Sequence, residues 1–397
     1  MRLSKKITAG TISALMLANV FSMTGCSKNY MSPSNDKDAL VVTVGDSKVY
    51  MDEAKCYVYI SEAELYYTNI LYMRFGVNDY MNQASSDDDS KTNAQVEKDS
   101  VMKDIIEKEI LYNEAQSTGK YDISDEQLKK IEENAKTVIS LMSKRELKKT
   151  GFTEEDFVNV QKKWNIANQY KKDVIKDFNI TKESMEKKFD YDKDLRQYET
   201  TYIRASVTNT DSSGEEMEMS DDQKKEVMET MKKVKKKVDS GESFDDIVKD
   251  FDKNTVESAT MNYTQGNYTD LKDSKSDDTE AGEEYMKATV DMTNGAISGI
   301  FEADGYYYIA RMDNNDSSAA YDSKVTKAVT DEENSQLDKW IDQMKEGDYK
   351  CEINSDVWDS FDLGYSTIVE DEFKKTFGLL ENPADSKNST NTTTSQK

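Results

Sequence analysis

The pattern of apolar residues changes after residue 190, and this change constrains the fold more than any other feature of the sequence. Residues 101–190 are predicted to form a succession of helices, and the capping box Ser124-Asp125-Glu126-Gln127 begins one of them. From Glu199 to Met312, short β-prone runs alternate with helical segments in the order β-α-α-β-α-β. The sequence therefore predicts an α+β fold, with a helical part followed by a smaller mixed part.

The amino terminus has the three-part layout of a secretory signal. Met1–Lys6 is basic, Ile7–Phe21 is mostly apolar or small, and Met23-Thr24-Gly25-Cys26 resembles the lipobox of bacterial lipoproteins. The cysteine of a lipobox becomes the lipidated first residue, so we expect Cys26 to anchor the protein to the outer face of the cell membrane. An ordinary signal peptide with an incidental cysteine is the alternative interpretation.

The composition excludes several kinds of chemistry. The chain has no histidine, so it cannot form a Ser-His-Asp triad, a Cys-His pair or a histidine-ligated zinc site. Its net charge of −25 repels phosphate backbones, which argues against nucleic-acid binding. The acidic run Asp87-Asp88-Asp89 lacks the spacing of a calcium loop, and we expect neither a metal nor a cofactor. Cys56 and Cys351 either pair or remain as buried free thiols.

An unusually aromatic helix is predicted at Met51–Phe75. Tyr57, Tyr67 and Leu71 lie beside the centre of its apolar face. Such a face either packs in a core shared with other helices or forms a groove for extended polypeptides. On the second interpretation, these three side chains are candidate contacts for an unfolded polypeptide.

Four segments of the sequence resemble the parvulin-type peptidyl-prolyl isomerases, in particular the foldase lipoproteins of Gram-positive bacteria and the related periplasmic chaperones. In chain order, the segments are Val41–Asp46 with the following Asp52-Glu53-Ala54, then Ile123–Leu128, then Val238–Val248, and finally Asn294–Ser298 with Gly305–Ile309. The resemblance covers most of residues 40–362. It implies a mainly helical chaperone domain into which a parvulin-like β-α-α-β-α-β domain is inserted.

Together with the signal sequence and the polar tail, the resemblance divides the chain into six parts. These are a signal peptide at 1–25, a tether at 26–39, an N-terminal helical chaperone domain at 40–193, a parvulin-like domain at 194–315, a returning segment of the chaperone domain at 322–380 and a disordered tail at 381–397. The returning segment contains a predicted strand, Tyr349–Ile353, which would lie beside the opening strands.

The candidate active site departs from the family pattern. Parvulins usually carry one histidine in the first strand and another in the last, and this chain has Tyr202 and Tyr307 at the matching positions. Tyr285 matches the aromatic residue, usually phenylalanine, that holds the substrate proline. Isomerisation requires only that a twisted amide be bound better than a planar one, so tyrosine hydroxyls can still contribute hydrogen bonds. A purely structural role for the two tyrosines is the alternative.

These observations predict a membrane-anchored extracytoplasmic foldase that binds unfolded or newly secreted polypeptides. Isomerase activity is expected to be weak or absent, because both family histidines are missing. The alternative is a surface lipoprotein that binds a small ligand without foldase activity, although binding proteins with two lobes usually alternate β and α elements throughout. A structural or assembly role at the cell surface is a third alternative.

Overall fold

The structure is a computed structural model that describes residues 38–61, 80–86, 88–142, 144–210, 216–251, 255–272, 281–360 and 363. Its helices and strands confirm the α+β class. The described residues form two compact units. The terminal unit contains the described residues up to Val174 and those from Asp338 onward, and the central unit contains Ile175–Leu337.

The terminal unit combines a small sheet with several long helices. Its strands are β1 (Leu40–Val44), β2 (Ser47–Tyr50) and β9 (Cys351–Ile353). Its helices are α1 (residues 51–61 of the described part), α2 (Asn93–Thr118), α3 (Asp125–Leu141), α4 (Lys144–Thr150), most of α5 (Glu154–Asp177), the end of α11 (Ala319–Glu346) and α12 (Ser355–Trp358). Within the described residues, no helix combines the length and the apolar character that crossing a membrane requires.

The sheet of the terminal unit has the order β2-β1-β9, with both pairs antiparallel. Val42 lies opposite Ile353, so the predicted strand near the end of the chain pairs with the opening strand. Gly45 makes the β1–β2 turn at a φ of +59°, and a Cβ there would lie 2.8 Å from the carbonyl oxygen of Asp348. The turn therefore requires glycine for both its conformation and its close contact.

The caps of the long helices follow from short polar motifs. The capping box predicted at Ser124 is confirmed at the start of α3. A second box joins Thr92 and Gln95, whose side chains each accept a hydrogen bond from the other's backbone N–H. The polar composition of Asn82–Asp99 predicts a solvated loop, and that prediction is wrong over the second half because this box starts α2 at Asn93.

The central unit is built around an antiparallel sheet with the order β6-β3-β8-β7. Its strands are β3 (Gln197–Ser206), β6 (Glu257–Thr264), β7 (Phe301–Ala303) and β8 (Tyr306–Ser317), with a separate pair formed by β4 (Thr208–Thr210) and β5 (Glu216–Glu218). Its helices are α6 (Lys182–Glu186), α7 (Asp221–Asp239), α8 (Phe244–Lys249), α9 (Gln265–Lys272), α10 (Glu283–Thr289) and the beginning of α11.

The central unit contains the predicted order β-α-α-β-α-β together with further strands and a helix. The polar composition of Asn209–Ser220 predicts a linker, but its described residues contribute to the β4–β5 pair, in which Asn209 lies opposite Met217. Polar side chains are compatible with such a pair because its strands are short and little of their surface is buried. The helix α9 and the short strand β7 were also absent from the prediction.

Two apolar clusters cover the opposite faces of the central sheet. One cluster joins α7 and α8 to Ile203, Ala205 and Ile309. The other joins α10 to a group of tyrosines on β3, β6 and β8. Alternate residues of a strand point to opposite faces, so β3 and β8 contribute side chains to both clusters.

A buried ion network ties together the helices of the terminal unit. The Nζ atom of Lys163 on α5 donates to both carboxylate oxygens of Glu53, at 2.8 and 2.9 Å, and to Glu109 Oε2 at 2.7 Å. Glu109 is only 3% exposed. Burial acts to lower the pKa of Lys163, but the two carboxylates outweigh it and raise that pKa. Lys163 therefore stays charged and neutralises two acidic groups that have little contact with water.

We predict that Lys163→Met destabilises the protein by about 3–5 kcal/mol, because it leaves Glu53 and Glu109 without their buried counter-charge. The free energy of unfolding is to be measured by urea denaturation of the full chain. Lys162→Met is the matched control, since Lys162 is half-buried and has no ion pair with the described residues. The control is expected to change stability by no more than about 0.5 kcal/mol. Equal effects of the two substitutions would contradict the role given to the network.

Candidate functional site

The predicted site residues of the central unit lie on or against β3 and β8. Tyr202 is in the middle of β3, 5% exposed, with its ring centroid 5.3 Å from that of Tyr308 and 6.1 Å from that of Tyr285. Both ring pairs are edge-to-face, the arrangement that the charge distribution of aromatic rings favours. Tyr202, Tyr285 and Tyr308, with the stacked ring of Phe301, form a group that we call the tyrosine face.

Tyr285, the candidate proline-holding residue, is completely buried. It lies on α10, and its hydroxyl is 2.8 Å from Thr200 Oγ1. The Thr200 hydroxyl donates to the carbonyl oxygen of Met261 at 2.8 Å, so the proton between Tyr285 and Thr200 comes from Tyr285. The hydrogen-bonding capacity and the ring surface of Tyr285 are thus both used inside the fold.

Tyr307 does not meet Tyr202. The β3–β8 register places Tyr202 opposite Ala310 and Ala205 opposite Tyr307. Residues 307 and 310 differ by an odd number, so their side chains point to opposite faces of the sheet. Tyr307 accordingly packs in the cluster beside α7 and α8, and the structure does not bring together the two tyrosines that match the family histidines.

Tyr308 is the residue that the sequence interpretation missed. It shares the face of Tyr202, and its hydroxyl accepts a hydrogen bond from Arg204 Nη1 at 3.3 Å. The signal was present in the sequence as Tyr306-Tyr307-Tyr308, but choosing among adjacent tyrosines requires the strand register.

Arg204 supplies a positive charge at the margin of the tyrosine face. Its guanidinium carbon lies 4.0 Å from the ring centroid of Tyr306 and 5.5 Å from that of Tyr202. Its Nε atom forms an ion pair with Glu257 on the neighbouring strand β6. The charge is therefore balanced by a carboxylate and by aromatic rings, and it orients the hydroxyl of Tyr308 rather than creating an unpaired cation.

Burial controls the ionisation of these tyrosines. It raises the pKa of Tyr285, against the opposing effect of the hydrogen bond between Tyr285 and Thr200, and it raises the pKa of Tyr263 in the same cluster. Burial likewise raises the pKa of Tyr308, although the nearby Arg204 opposes the change. Tyr285 and Tyr308 are thus neutral at physiological pH, with phenol groups that can donate hydrogen bonds but cannot act as bases.

The candidate client contacts are only partly within the described residues. Tyr57 on α1 is 6% exposed, and its ring lies 4.8 Å from Trp164 in an edge-to-face arrangement. A small cavity of about 140 Å³ borders Tyr57 together with Ile60 and Trp164. Tyr67 and Leu71 lie outside the described residues, as does the lipidation candidate Cys26.

The remaining sites concern metals and thiols. Among the described residues, no three side chains of the types that ligate metals lie close enough to hold an ion. Cys56 is buried and Cys351 is half-buried, and both are free thiols in the structure. Burial raises the pKa of the Cys56 thiol, which keeps it protonated and unreactive.

Neither a protein-family model nor a curated protein sequence matches the chain. Solved structures do match it. One is PrsA from Bacillus subtilis, with 12% identity and a TM-score of 0.22, covering 68% of this chain and 93% of that chain. Another is the peptidylprolyl isomerase PrsA from Bacillus cereus, with 14% identity and a TM-score of 0.20, and the match covers 87% of this chain and 99% of that chain. A third is the foldase protein PrsA from Streptococcus pneumoniae, with 17% identity and a TM-score of 0.22, and the match covers 66% of this chain and 87% of that chain.

The chain resembles PrsA foldases. The family resemblance predicted from the sequence motifs is confirmed to that extent. At these TM-scores the superposition assigns no residue of this chain to a residue of a PrsA protein. The roles of Tyr202, Tyr307 and Tyr285 therefore stay predictions.

We predict that the central unit loses stability at alkaline pH, because its buried tyrosines can ionise readily only when unfolding exposes them to water. Their folded-state pKa values are raised, so their contribution to stability is complete below the ordinary tyrosine pKa of about 10 and is lost as the pH rises through the raised values. The free energy of unfolding and the near-ultraviolet absorbance of tyrosinate are to be measured together against pH.

Ionisation of the buried tyrosines is expected to coincide with unfolding, and Tyr285→Phe is expected to make the loss of stability with pH less steep. If every tyrosine titrated near pH 10 (the ordinary value) while the protein remained folded, the closed tyrosine face would be disproved.

Proposed function

We propose that the protein is an extracytoplasmic foldase, anchored through a lipidated Cys26, that binds unfolded secreted polypeptides. The proposal is supported by the lipobox and by four family-like segments that occur in the family's order. The PrsA protein of Streptococcus pneumoniae, to which the chain is similar, is described as a foldase protein.

The proposed architecture is a chaperone domain made of residues 40–193 and 322–380, with a parvulin-like domain at 194–315 inserted between them. The pairing of β9 with β1 supports it, because that pairing brings Val42 and Ile353 into one sheet. The strands of the larger sheet, β3, β6, β7 and β8, all come from the residues between these two positions. A domain inserted into another domain requires this order of pairing.

The complete burial of Tyr285 is the main support for the proposal that isomerase activity is low or absent. A prolyl isomerase must bind the proline ring and stabilise an amide twisted against a barrier of about 18–20 kcal/mol. The ring of Tyr285 is covered by Tyr202, Tyr308 and Phe301, and its hydroxyl is bonded to Thr200. No ring surface is left for a proline unless this core opens.

In this proposal the aromatic helix of the chaperone domain provides the client contacts. Tyr67 and Leu71 are the residues proposed to touch the unfolded chain. Tyr57, which packs against Trp164, instead fixes the position of the helix. Apolar and aromatic side chains suit a binding surface that must accept many sequences, since their contribution depends on buried area more than on direction.

The alternative of a two-lobed ligand-binding lipoprotein gains no support from the strand arrangement. Such proteins are built from repeated βαβ units, which pair their strands in parallel. All strand pairs among the described residues are antiparallel.

The holding activity can be tested by following light scattering from an aggregating, denatured client protein. We predict that the full chain suppresses aggregation at roughly equimolar ratio. Leu71→Ser is expected to reduce suppression because it removes apolar contact area. Tyr285→Phe is the control and is expected to leave suppression unchanged, since Tyr285 is buried away from any client.

A chain in which a short flexible linker replaces residues 194–315 is also expected to keep its holding activity. Its folded state is to be verified by near-ultraviolet circular dichroism. Loss of all suppression in this folded variant would contradict the assignment of client binding to the helical domain.

A further inference from the structure

The central unit contains a cavity of about 570 Å³ that no step of the proposed function uses. It lies at the start of β3, and Arg196, Tyr198, Tyr268 and three carboxylates line it. Pockets that bind small molecules commonly have volumes of about 300–1,000 Å³, so the cavity is large enough for a ligand of the size of one or two amino acids.

Arg196 has hydrogen-bonding capacity to spare in this cavity. Its Nε atom is buried and has no hydrogen-bond partner. Its Nη2 atom is 3.4 Å from Gln265 Oε1, a long contact, and that oxygen already accepts a hydrogen bond of 2.6 Å from Tyr198. No carboxylate of the described residues forms an ion pair with Arg196. The Nη2 group of Arg196 thus has no strong acceptor among the described residues, and the planar fork of a guanidinium matches the two oxygens of a carboxylate.

The rest of the lining has the opposite charge. Asp192, Asp291 and Asp316 contribute three carboxylates, of which Asp316 accepts a hydrogen bond from Tyr191 at 2.7 Å. The cavity therefore carries more negative than positive charge. A simple anion such as phosphate would be repelled by these groups, and a simple cation would leave Arg196 unpaired.

The two tyrosines complete the set of contacts. Tyr198 stacks on Tyr263, with ring centroids 5.0 Å apart, and this stacking holds it firmly in the cavity wall. Tyr268 on α9 also lines the cavity. Aromatic rings at such positions contact the hydrocarbon part of a ligand and attract a nearby ammonium group.

We infer that this cavity binds a basic amino acid through its free carboxylate, either as the free molecule or as the last residue of a peptide. The carboxylate pairs with Arg196, the ammonium or guanidinium group of the ligand faces the aspartates, and the tyrosines contact its hydrocarbon chain. The site is separate from the tyrosine face and does not depend on the proposed foldase function.

Binding is to be measured by isothermal titration calorimetry with the full chain. The probes are free L-lysine, the peptide acetyl-Ala-Ala-Ala-Lys with a free carboxylate, the same peptide with a carboxy-terminal amide, and acetyl-Ala-Ala-Ala-Glu. We expect binding of free lysine, of the lysine peptide with a free carboxylate, or of both. Which of the two binds shows whether the ligand is a free amino acid or the last residue of a peptide. The amide and the glutamate peptide are expected to bind at least about tenfold more weakly, because each lacks one of the charge-assisted contacts.

Substitutions in the cavity test the contribution of each proposed contact to ligand binding. Arg196→Gln is expected to weaken binding at least about tenfold, whereas Arg311→Gln, which removes an arginine elsewhere on the same sheet, is expected to leave it unchanged. Asp291→Asn should reduce the preference for lysine over glutamate at the last position of the peptide. The inference is overturned if none of the probes binds, if the amide binds as tightly as the free carboxylate, or if Arg311→Gln and Arg196→Gln have equal effects. The assay detects ligand binding alone, so its outcome is independent of whether the protein holds unfolded clients.

Discussion

The antiparallel pairing of β3 with β8 determines what the central unit can do, because its register decides which tyrosines share a face. Tyr202 lies opposite Ala310, so the small side chain leaves room for the ring of Tyr308 beside that of Tyr202. Tyr285 on α10 then packs against both rings and reaches Thr200 with its hydroxyl. A shift of one residue would exchange Tyr308 for Tyr307 and place the wrong set of side chains under α10.

Because of this packing, the tyrosine face is a closed core and not an open binding surface. Tyr202 and Tyr285, two of the three predicted site residues of this unit, pack their rings against each other and against Tyr308, and burial keeps the hydroxyl of Tyr285 neutral. Such a group stabilises the sheet through apolar area and oriented ring contacts. The same properties prevent it from offering a surface to a proline. The terminal unit has a comparable constraint, since Lys163 must lie between Glu53 and Glu109 for its helices to pack.

Local signals in the sequence predicted much of this fold. The α3 capping box at Ser124 and the paired strand at Cys351–Ile353 each depend on a few neighbouring residues, and the structure contains both. The sequence interpretation failed where a contact between distant residues decides the outcome. Tyr308 could not be distinguished from Tyr307 without the register of β8. The pocket around Arg196 was missed for the same reason, because its lining comes from segments as distant as Asp192 and Asp316.

In the proposed function, the closed tyrosine face means that the protein holds polypeptides without accelerating prolyl isomerisation. The most direct test is to time the refolding of a client whose slow phase, lasting roughly tens to hundreds of seconds, is limited by an X-Pro bond. With increasing amounts of the full chain, we predict a higher yield of folded client and an unchanged rate of the slow phase. Acceleration of that phase at substoichiometric protein, abolished by Tyr285→Ala, would contradict the account.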